Sequence, residues 1–230
     1  MSENTHRRLI EPNARLFAIL STVAVSIGGL VEILPMYSSA VGPEHMEEVK
    51  PYSPLELAGR DLYLREGCYN CHSQMIRPSQ AETLRYGPWT RAGEYQWDHP
   101  FQLGSRRIGP DLQRVGGKYP DAWHFDHMKD PRAMTPGSIM PAYTWLYDSK
   151  VSTSDIVDTV NGMITLGVPY DANPEAWVPA QVGAQQKKIV DSLALVKRTA
   201  APDDEIIALI AYLQRLGVDG KAAITARAAK

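Results

Sequence analysis

The sequence predicts a mainly α-helical protein with one N-terminal transmembrane helix and a helical domain that carries long loop insertions. Three observations support this prediction: an apolar run near the N-terminus, apolar residues at helical spacing towards both ends of the remaining chain, and a poorly periodic stretch between them. The 230 residues suffice for one membrane segment and one domain of roughly 100–200 residues. The formal net charge of −2, without a basic stripe, argues against a nucleic-acid partner.

The apolar run at residues 16–34 reads LFAILSTVAVSIGGLVEIL and predicts a membrane anchor over 16–35. As a helix its 19 residues would be roughly 28 Å long, which matches the hydrocarbon core of a bilayer. Pro35 predicts the end of this helix. A cleaved signal peptide is the alternative, but the run is longer than a usual signal core and no small-residue cleavage site directly follows it. We therefore expect an uncleaved anchor, with Glu32 reaching the nearer interface rather than a partner helix.

Charges on the two sides of the anchor differ in sign, since basic residues precede it and acidic residues follow it, with only Lys50 as a nearby cation. The positive-inside rule places residues 1–15 in the cytoplasm and the body of the protein outside, in the bacterial periplasm. We expect residues 36–53 to be a linker, 54–218 the helical domain and 219–230 a C-terminal tail. The flanking residues are His6, Arg7, Arg8 and Arg15 before the anchor and Glu44, Glu47 and Glu48 after it.

Two helices are predicted at the ends of the helical domain. The first has Ser53 as its N-cap and Pro54 in its first turn, and its apolar face continues towards Gly67. The last follows the acidic residues 203–205, which are favourable at a helix start, and Gly217 ends it.

Between these two helices the pattern is less regular. Residues 74–137 are rich in glycine, proline and aromatic residues and predict ordered loops. Further along, Ser154 is predicted to cap a helix over 155–166. A polar loop is expected at 172–179, followed by a helix at 185–197.

Residues 68–72 read CYNCH, the attachment signature of c-type haem. Cys68 and Cys71 would form thioether bonds to the two porphyrin vinyl groups, and His72 would bind the iron as its proximal ligand. A redox dithiol and half of a zinc site are the alternatives. The chain has only two cysteines, so no second pair exists to complete a zinc site, and no βαβ pattern supports a redox fold. We therefore expect one covalently bound haem c.

Met140 is the predicted sixth ligand and lies in SIMPAY at residues 138–143. A haem that only transfers electrons is normally six-coordinate, and Met with His is the common ligand pair. Pro141 would stiffen the loop that brings the thioether over the haem, whereas the alternative for any single methionine is core filling. We expect His124 and His127, spaced i, i+3, to be a solvated surface pair rather than a metal pair. The rival histidine ligands are His99, His124 and His127.

A Gly-Pro-Asp-Leu stretch that contains Pro110 lies between the haem motif and the Met-Pro loop. It resembles class I cytochromes c, in which the proline carbonyl accepts a hydrogen bond from the ring of the axial histidine. This resemblance implies a class I cytochrome c-like domain, whose first and last helices cross at a small–aromatic pair that Gly59 and Tyr212 match. Arg106 and Arg107 could pair with the haem propionates or form a solvated basic turn.

Longer stretches resemble the mono-haem subunit of cbb(3)-type cytochrome c oxidases. The resemblance covers residues 10–147 well and is weaker over 152–230. Leu103 stands where an aromatic residue is expected, and residues 88–90 are unusual for the family. The matching stretches lie at 72–78, 98–101, 104–112, 114–117, 123–124, 130–132 and 138–141.

This resemblance implies an electron-transfer subunit of a proton-pumping haem-copper terminal oxidase in the bacterial inner membrane. Electrons would arrive from a di-haem cytochrome c subunit or a soluble cytochrome c. They would pass through the haem c to the catalytic subunit, which reduces oxygen to water, so the chain itself would bear no catalytic residues. The resemblance also implies a calcium ion near Gly104 and Ser105, at the boundary with the catalytic subunit.

Two other functions stay open. The chain could be the cytochrome c subunit of a nitric oxide reductase, although residues 75–78 and the long insert at 85–107 argue against this. It could also be a membrane-anchored cytochrome c carrier without an enzyme partner. A separate enzyme is least favoured, because the sequence lacks a nucleophile–base, phosphate-loop or zincin motif.

Overall fold

The computed structural model describes residue 10, residues 12–37 and residues 45–228. Within this part of the chain the secondary structure is helical without strands, which confirms the predicted mainly α fold. The helices are α1 (Ala14–Met36), α2 (Pro54–Arg65), α3 (Gln80–Tyr86), α4 (Asp121–Lys129), α5 (Pro131–Met134), α6 (Thr153–Thr165), α7 (Pro174–Leu195), α8 (Glu205–Arg215) and α9 (Val218–Ala228), with 3-10 turns at Cys68–Asn70, Ala92–Tyr95 and Thr144–Tyr147.

The chain divides into two units, residues 1–44 and residues 45–230. The first contains α1, whose N-cap Asn13 accepts a hydrogen bond from the Leu16 amide at 3.1 Å. Its mean hydropathy of 2.1 and its 23 residues make α1 long and apolar enough to span a membrane. Pro35 lies in the last turn, and the helix ends one residue later. The charges at His6, Arg7, Arg8 and Glu44, on which the predicted orientation depends, lie outside the described residues.

The second unit is organised by the crossing of α2 and α8. A Cβ atom on Gly59 would lie 1.9 Å from the Ala208 carbonyl oxygen and 2.8 Å from the Tyr212 Cβ. Only glycine permits this approach, so the predicted Gly59–Tyr212 crossing is confirmed. The predicted start of α2 is also confirmed, since Pro54 is its first residue and the Ser53 amide donates to the Glu56 carboxylate at 2.8 Å.

The core surrounds α8, which also contacts α4 and α7, while α6 packs against α2 and α7. Helix α8 is buried on nearly every side, since all of its residues from Glu205 to Leu213 are buried. Ile206, Ile207, Ile210 and Leu193 of α7 are fully buried. Such a helix is enclosed by its neighbours rather than laid on a surface.

Two element boundaries differ from the prediction. Helix α6 has Ser152 as its N-cap rather than Ser154, because the Ser152 hydroxyl accepts the Asp155 amide and Ser154 already lies in the first turn. The predicted loop at 172–179 is wrong, since α7 begins at Pro174 and includes Pro179. Pro174 occupies the first helical position, where its missing amide would have no intrahelical partner, so it can start the helix. Pro179 lies inside the helix, which continues past it without the hydrogen bond of that residue's amide.

Two further segments add helix where little was expected. The predicted loop stretch 74–137 includes α3, α4 and α5 as short helices. Helix α9 extends through most of the predicted tail and buries Ala223. Its Asp219 accepts the Lys50 amide at 2.9 Å, and the Trp97 indole donates to the Val49 carbonyl at 2.9 Å. Val49 and Lys50, which precede α2 in the predicted linker, are thus hydrogen-bonded to the domain.

Candidate haem site

The haem motif follows α2 directly. Gly67 adopts a left-handed conformation (φ +68°), which turns the chain out of the helix and into the 3-10 turn. The Cys71 and His72 amides both donate to the Cys68 carbonyl, at 3.1 and 2.9 Å. This tight turn holds both thiols and the imidazole within a single loop.

Both thiols are free in the polypeptide. Cys68 is partly buried and packs against the core, whereas Cys71 is exposed. Burial is the main cause that raises the pKa of Cys68, to about 12. A thiol in this environment is protonated at neutral pH. It is therefore a poor ligand for zinc and a poor nucleophile for disulfide exchange.

The His72 ring is fixed by the loop predicted to lie beside it. Its Nδ1 donates a hydrogen bond to the Pro110 carbonyl oxygen at 2.8 Å. A donor at Nδ1 makes Nε2 the nitrogen with a free lone pair, which is the atom that can bind a metal. Burial lowers the pKa of His72, against the opposing effects of the Pro110 carbonyl and the Asp111 charge. The neutral ring that results is the form that ligates iron.

Gly109 provides the surface on which this ring lies. A Cβ atom at position 109 would be 2.2 Å from Cε1 and 2.7 Å from Nδ1 of His72. The Gly109 amide donates to the Cys71 carbonyl at 2.9 Å, and the Leu112 amide donates to the Ser73 carbonyl at 2.8 Å. The loop from Gly109 to Leu112 is therefore hydrogen-bonded to the motif on both sides of the imidazole.

The residues around the motif fit a haem. The Tyr63 hydroxyl and His127 Nδ1 are buried and have no hydrogen-bond partner within the protein, as expected of groups that border a cofactor. Tyr143 lies close enough to Cys68 and Cys71 for their charges to add to the effect of burial, which raises its pKa to about 12. Two tyrosines and a histidine thus lie near the cysteines and His72.

Met140 lies on the same loop as Tyr143, partly buried at the edge of the apolar core. Its amide donates to the Ser138 hydroxyl at 3.2 Å, and the Tyr143 amide donates to the Met128 carbonyl of α4 at 2.8 Å. The loop is thus held at both ends. Tyr143, three residues after Met140 on this loop, is the residue that lies near the cysteines.

The rival histidines occupy different environments. The predicted solvated surface pair is wrong for His124, which is only 1% exposed and whose Nε2 has no partner within the protein. Burial lowers the pKa of His124 to about 4, with Asp121 opposing and His127 adding to the shift. His127 is partly buried and stacks on Trp123 with ring centroids 4.5 Å apart. His99 lies beside Asp98, the carboxylate that pairs with a buried arginine of α2.

The two arginines that could pair with the haem propionates differ in exposure and in their contacts within the protein. Arg106 is exposed, whereas all three guanidinium nitrogens of Arg107 contact protein acceptors, including the Ser73 hydroxyl and the Glu82 carboxylate. These contacts favour a structural role for Arg107. No local sequence pattern indicates this role, because Ser73 and Glu82 are distant from Arg107 along the chain.

Gly104 and Ser105, the region implied for calcium, lie in the loop beside the motif. Gly104 has a left-handed φ of +60°, and a Cβ there would be 3.1 Å from the His72 carbonyl oxygen. Ser105 is exposed. In the described part of the chain no three His, Cys, Asp or Glu side chains converge as a metal site. Calcium therefore stays a prediction.

Comparison with known families agrees with the motif and the fold. The sequence profile of a family described as "Cytochrome C oxidase, mono-heme subunit/FixO" matches residues 6–219. No curated protein sequence matches the chain. The description implies one haem, a role in electron transport and a catalytic oxidase subunit as partner. Because the match spans nearly the whole sequence, the chain belongs to the FixO family of mono-haem cytochrome c oxidase subunits.

Proposed function

We propose that this subunit holds one haem c through thioether bonds to Cys68 and Cys71, with His72 and Met140 as axial ligands, and that it passes electrons to the catalytic oxidase subunit. When bound, the haem supplies a one-electron Fe(III)/Fe(II) couple. The observation that carries the proposal is the His72 ring, whose Nδ1 donates to the Pro110 carbonyl at 2.8 Å. That bond leaves Nε2 as the ligating atom and prevents the ring from rotating.

The surrounding residues suit electron transfer rather than substrate turnover. The Pro110 carbonyl accepts a hydrogen bond from His72 Nδ1 and so makes His72 a stronger electron donor. Tyr63 is buried, and Tyr143 and Met140 are partly buried against the core, an environment that would limit the access of water. A second axial ligand from Met140 would leave no open position for oxygen, so oxygen would react only in the partner subunit.

The wider setting follows from α1 and the family. We propose that α1 is an uncleaved membrane anchor with a cytoplasmic N-terminus and that the haem domain is periplasmic. Electrons would come from a di-haem cytochrome c subunit or a soluble cytochrome c, and the whole complex would pump protons. Calcium at the subunit boundary near Gly104 and Ser105 is part of the same proposal.

Acid-acetone extraction tests the covalent attachment. The wild-type chain should keep its haem through extraction, and the pyridine haemochrome spectrum should give one haem per chain with both vinyl groups saturated. Cys68→Ala should retain at most one thioether bond, which shifts that spectrum. Haem that washes away from the wild-type polypeptide would contradict the proposal.

Purification in mild detergent separates the oxidase assignment from the two alternatives. A complex that contains a haem-copper catalytic subunit and consumes oxygen supports the proposal. A complex that consumes nitric oxide instead would assign the chain to a nitric oxide reductase. A single species of about the chain's own 25.5 kDa plus detergent would identify a free carrier.

A further inference from the structure

A buried carboxylate lies directly behind the loop that holds the proximal histidine. The Asp111 side chain has no solvent exposure. It accepts hydrogen bonds from the Ser73 hydroxyl at 2.6 Å, the Met75 amide at 2.9 Å and the Gln113 amide at 2.9 Å. An anion buried among several donors retains its charge without contact with water.

Arg107 joins the same group. Its Nε donates to the Ser73 hydroxyl at 2.7 Å, and its Nη2 donates to the Met75 carbonyl at 2.8 Å and lies 3.4 Å from the Asp111 carboxylate. On its outer side the guanidinium pairs with the Glu82 carboxylate at 2.5 Å. We call Ser73, Asp111 and Arg107 the proximal clamp.

The proximal clamp connects two chain segments that enclose the imidazole. One segment contains the haem motif and continues to Met75, and the other runs from Arg107 to Gln113. Their backbones share two hydrogen bonds beside His72, from Gly109 to Cys71 and from Leu112 to Ser73. The clamp adds side-chain bonds between the same two segments, immediately next to the ring.

We propose that the proximal clamp is a positioning device that sets the reduction potential of the haem by holding the Pro110 carbonyl against His72. This inference rests on the proposed haem ligation and goes beyond it, because none of the three side chains touches the haem ligand set directly. The clamp acts through the spacing of the two segments and through the fixed negative charge of Asp111.

Both actions of the clamp should lower the reduction potential of the haem. A firm bond from His72 Nδ1 to the Pro110 carbonyl increases electron donation to the iron and stabilises Fe(III). The nearby Asp111 carboxylate also favours the more positive ferric centre. Loosening the clamp or removing its charge should therefore favour Fe(II) and raise the potential.

The experiment compares Ser73→Ala and Asp111→Asn with the wild-type protein in the intact purified complex. Ser73→Ala removes clamp bonds without a change of charge, whereas Asp111→Asn removes the charge and keeps the shape. Asp191→Asn is the matched control, because Asp191 is an exposed aspartate of α7 outside the clamp. Spectroelectrochemical titration of the haem c α-band gives the potential, and the g-values of the ferric EPR spectrum report the orientation of the imidazole.

We expect Asp111→Asn to shift the Fe(III)/Fe(II) ratio at a fixed potential about tenfold towards Fe(II), which corresponds to roughly 59 mV for one electron. Ser73→Ala should shift it in the same direction by less and should change the g-values. Asp191→Asn should change neither quantity. If Asp111→Asn does not yield loaded protein, the potential and g-values of Ser73→Ala decide the question.

The two proposals fail in distinguishable ways. Wild-type protein without covalently bound haem would overturn the proposed function. Variants that carry one covalent haem per chain, with wild-type potential and g-values, would overturn the positioning role while the haem assignment stands.

Discussion

The imidazole ring of His72 occupies the space that a side chain at position 109 would need. The ring is in contact with the backbone of Gly109, and the carbonyl of the next residue, Pro110, accepts a hydrogen bond from its Nδ1. A glycine and a proline in succession therefore perform two tasks: the first makes room for the ring and the second fixes its rotation.

Gly109→Ala should prevent the normal placement of the proximal ligand. The new Cβ would lie 2.2 Å from His72 Cε1, so the ring or the loop must move. We expect a lower yield of loaded protein and a changed ferric EPR spectrum. Gly183→Ala is the control, because nothing lies within 4 Å of a Cβ there and α7 should gain about 0.5–1 kcal/mol of stability. A Gly109→Ala protein with wild-type yield and spectrum would contradict this account.

Gly59→Ala should destabilise the helical domain without any direct contact with the haem motif. Its Cβ would collide with the Ala208 carbonyl oxygen, which belongs to a helix backbone and cannot rotate away. Separation of α2 from α8 would open the core, at a cost of about 3 kcal/mol or more. Thermal unfolding followed by far-ultraviolet circular dichroism measures the loss. An unchanged melting temperature would show that the crossing is looser than described.

Met140→Ala should leave the haem attached but remove the proposed sixth ligand. The expected result is a high-spin ferric spectrum without the near-infrared band of sulfur ligation. Met163→Ala is the matched control, because Met163 is a buried core residue of α6. That control should lose about 2–5 kcal/mol of stability and keep the low-spin spectrum. A sulfur-ligation band that survives in Met140→Ala would assign the ligand to another residue.

Stability should fall as the pH drops from about 6.5 towards 4, in part because of His124. Its pKa is lowered to about 4 by burial, while the unfolded chain titrates at about 6.5. Between these values the unfolded state binds more protons, so the free energy of unfolding rises with pH in that window. His124→Phe should reduce this pH dependence by on the order of 2 kcal/mol, measured by urea unfolding at pH 4.5 and 7.5. Equal slopes in both proteins would contradict the assignment.

Local spacing made part of this site predictable. The haem motif at residues 68–72 and the N-cap at Ser53 can be predicted from the sequence, because the contacts that define them join residues only three or four positions apart. The crossing at Gly59 was expected only through the resemblance to class I cytochromes c, since no local pattern specifies which helix a glycine faces.

Long-range contacts explain what the sequence did not reveal. The i, i+3 spacing of His124 and His127 indicates a shared face of α4 but not that α7 and α8 cover that side of the helix. Ser73 and Asp111 are 38 positions apart, so their hydrogen bond depends on the whole path of the intervening loops. Periodicity cannot report a contact of this kind.

The pairing of Arg65 with Glu205 has a consequence for the order in which the molecule is completed. These residues join the end of α2 to the start of α8 and are 140 positions apart. During synthesis the cysteine motif therefore emerges long before the helix against which its own helix must pack. Until α8 has been made, both thiols belong to an unfinished chain, so the proposed attachment of the porphyrin can precede the closure of the interior.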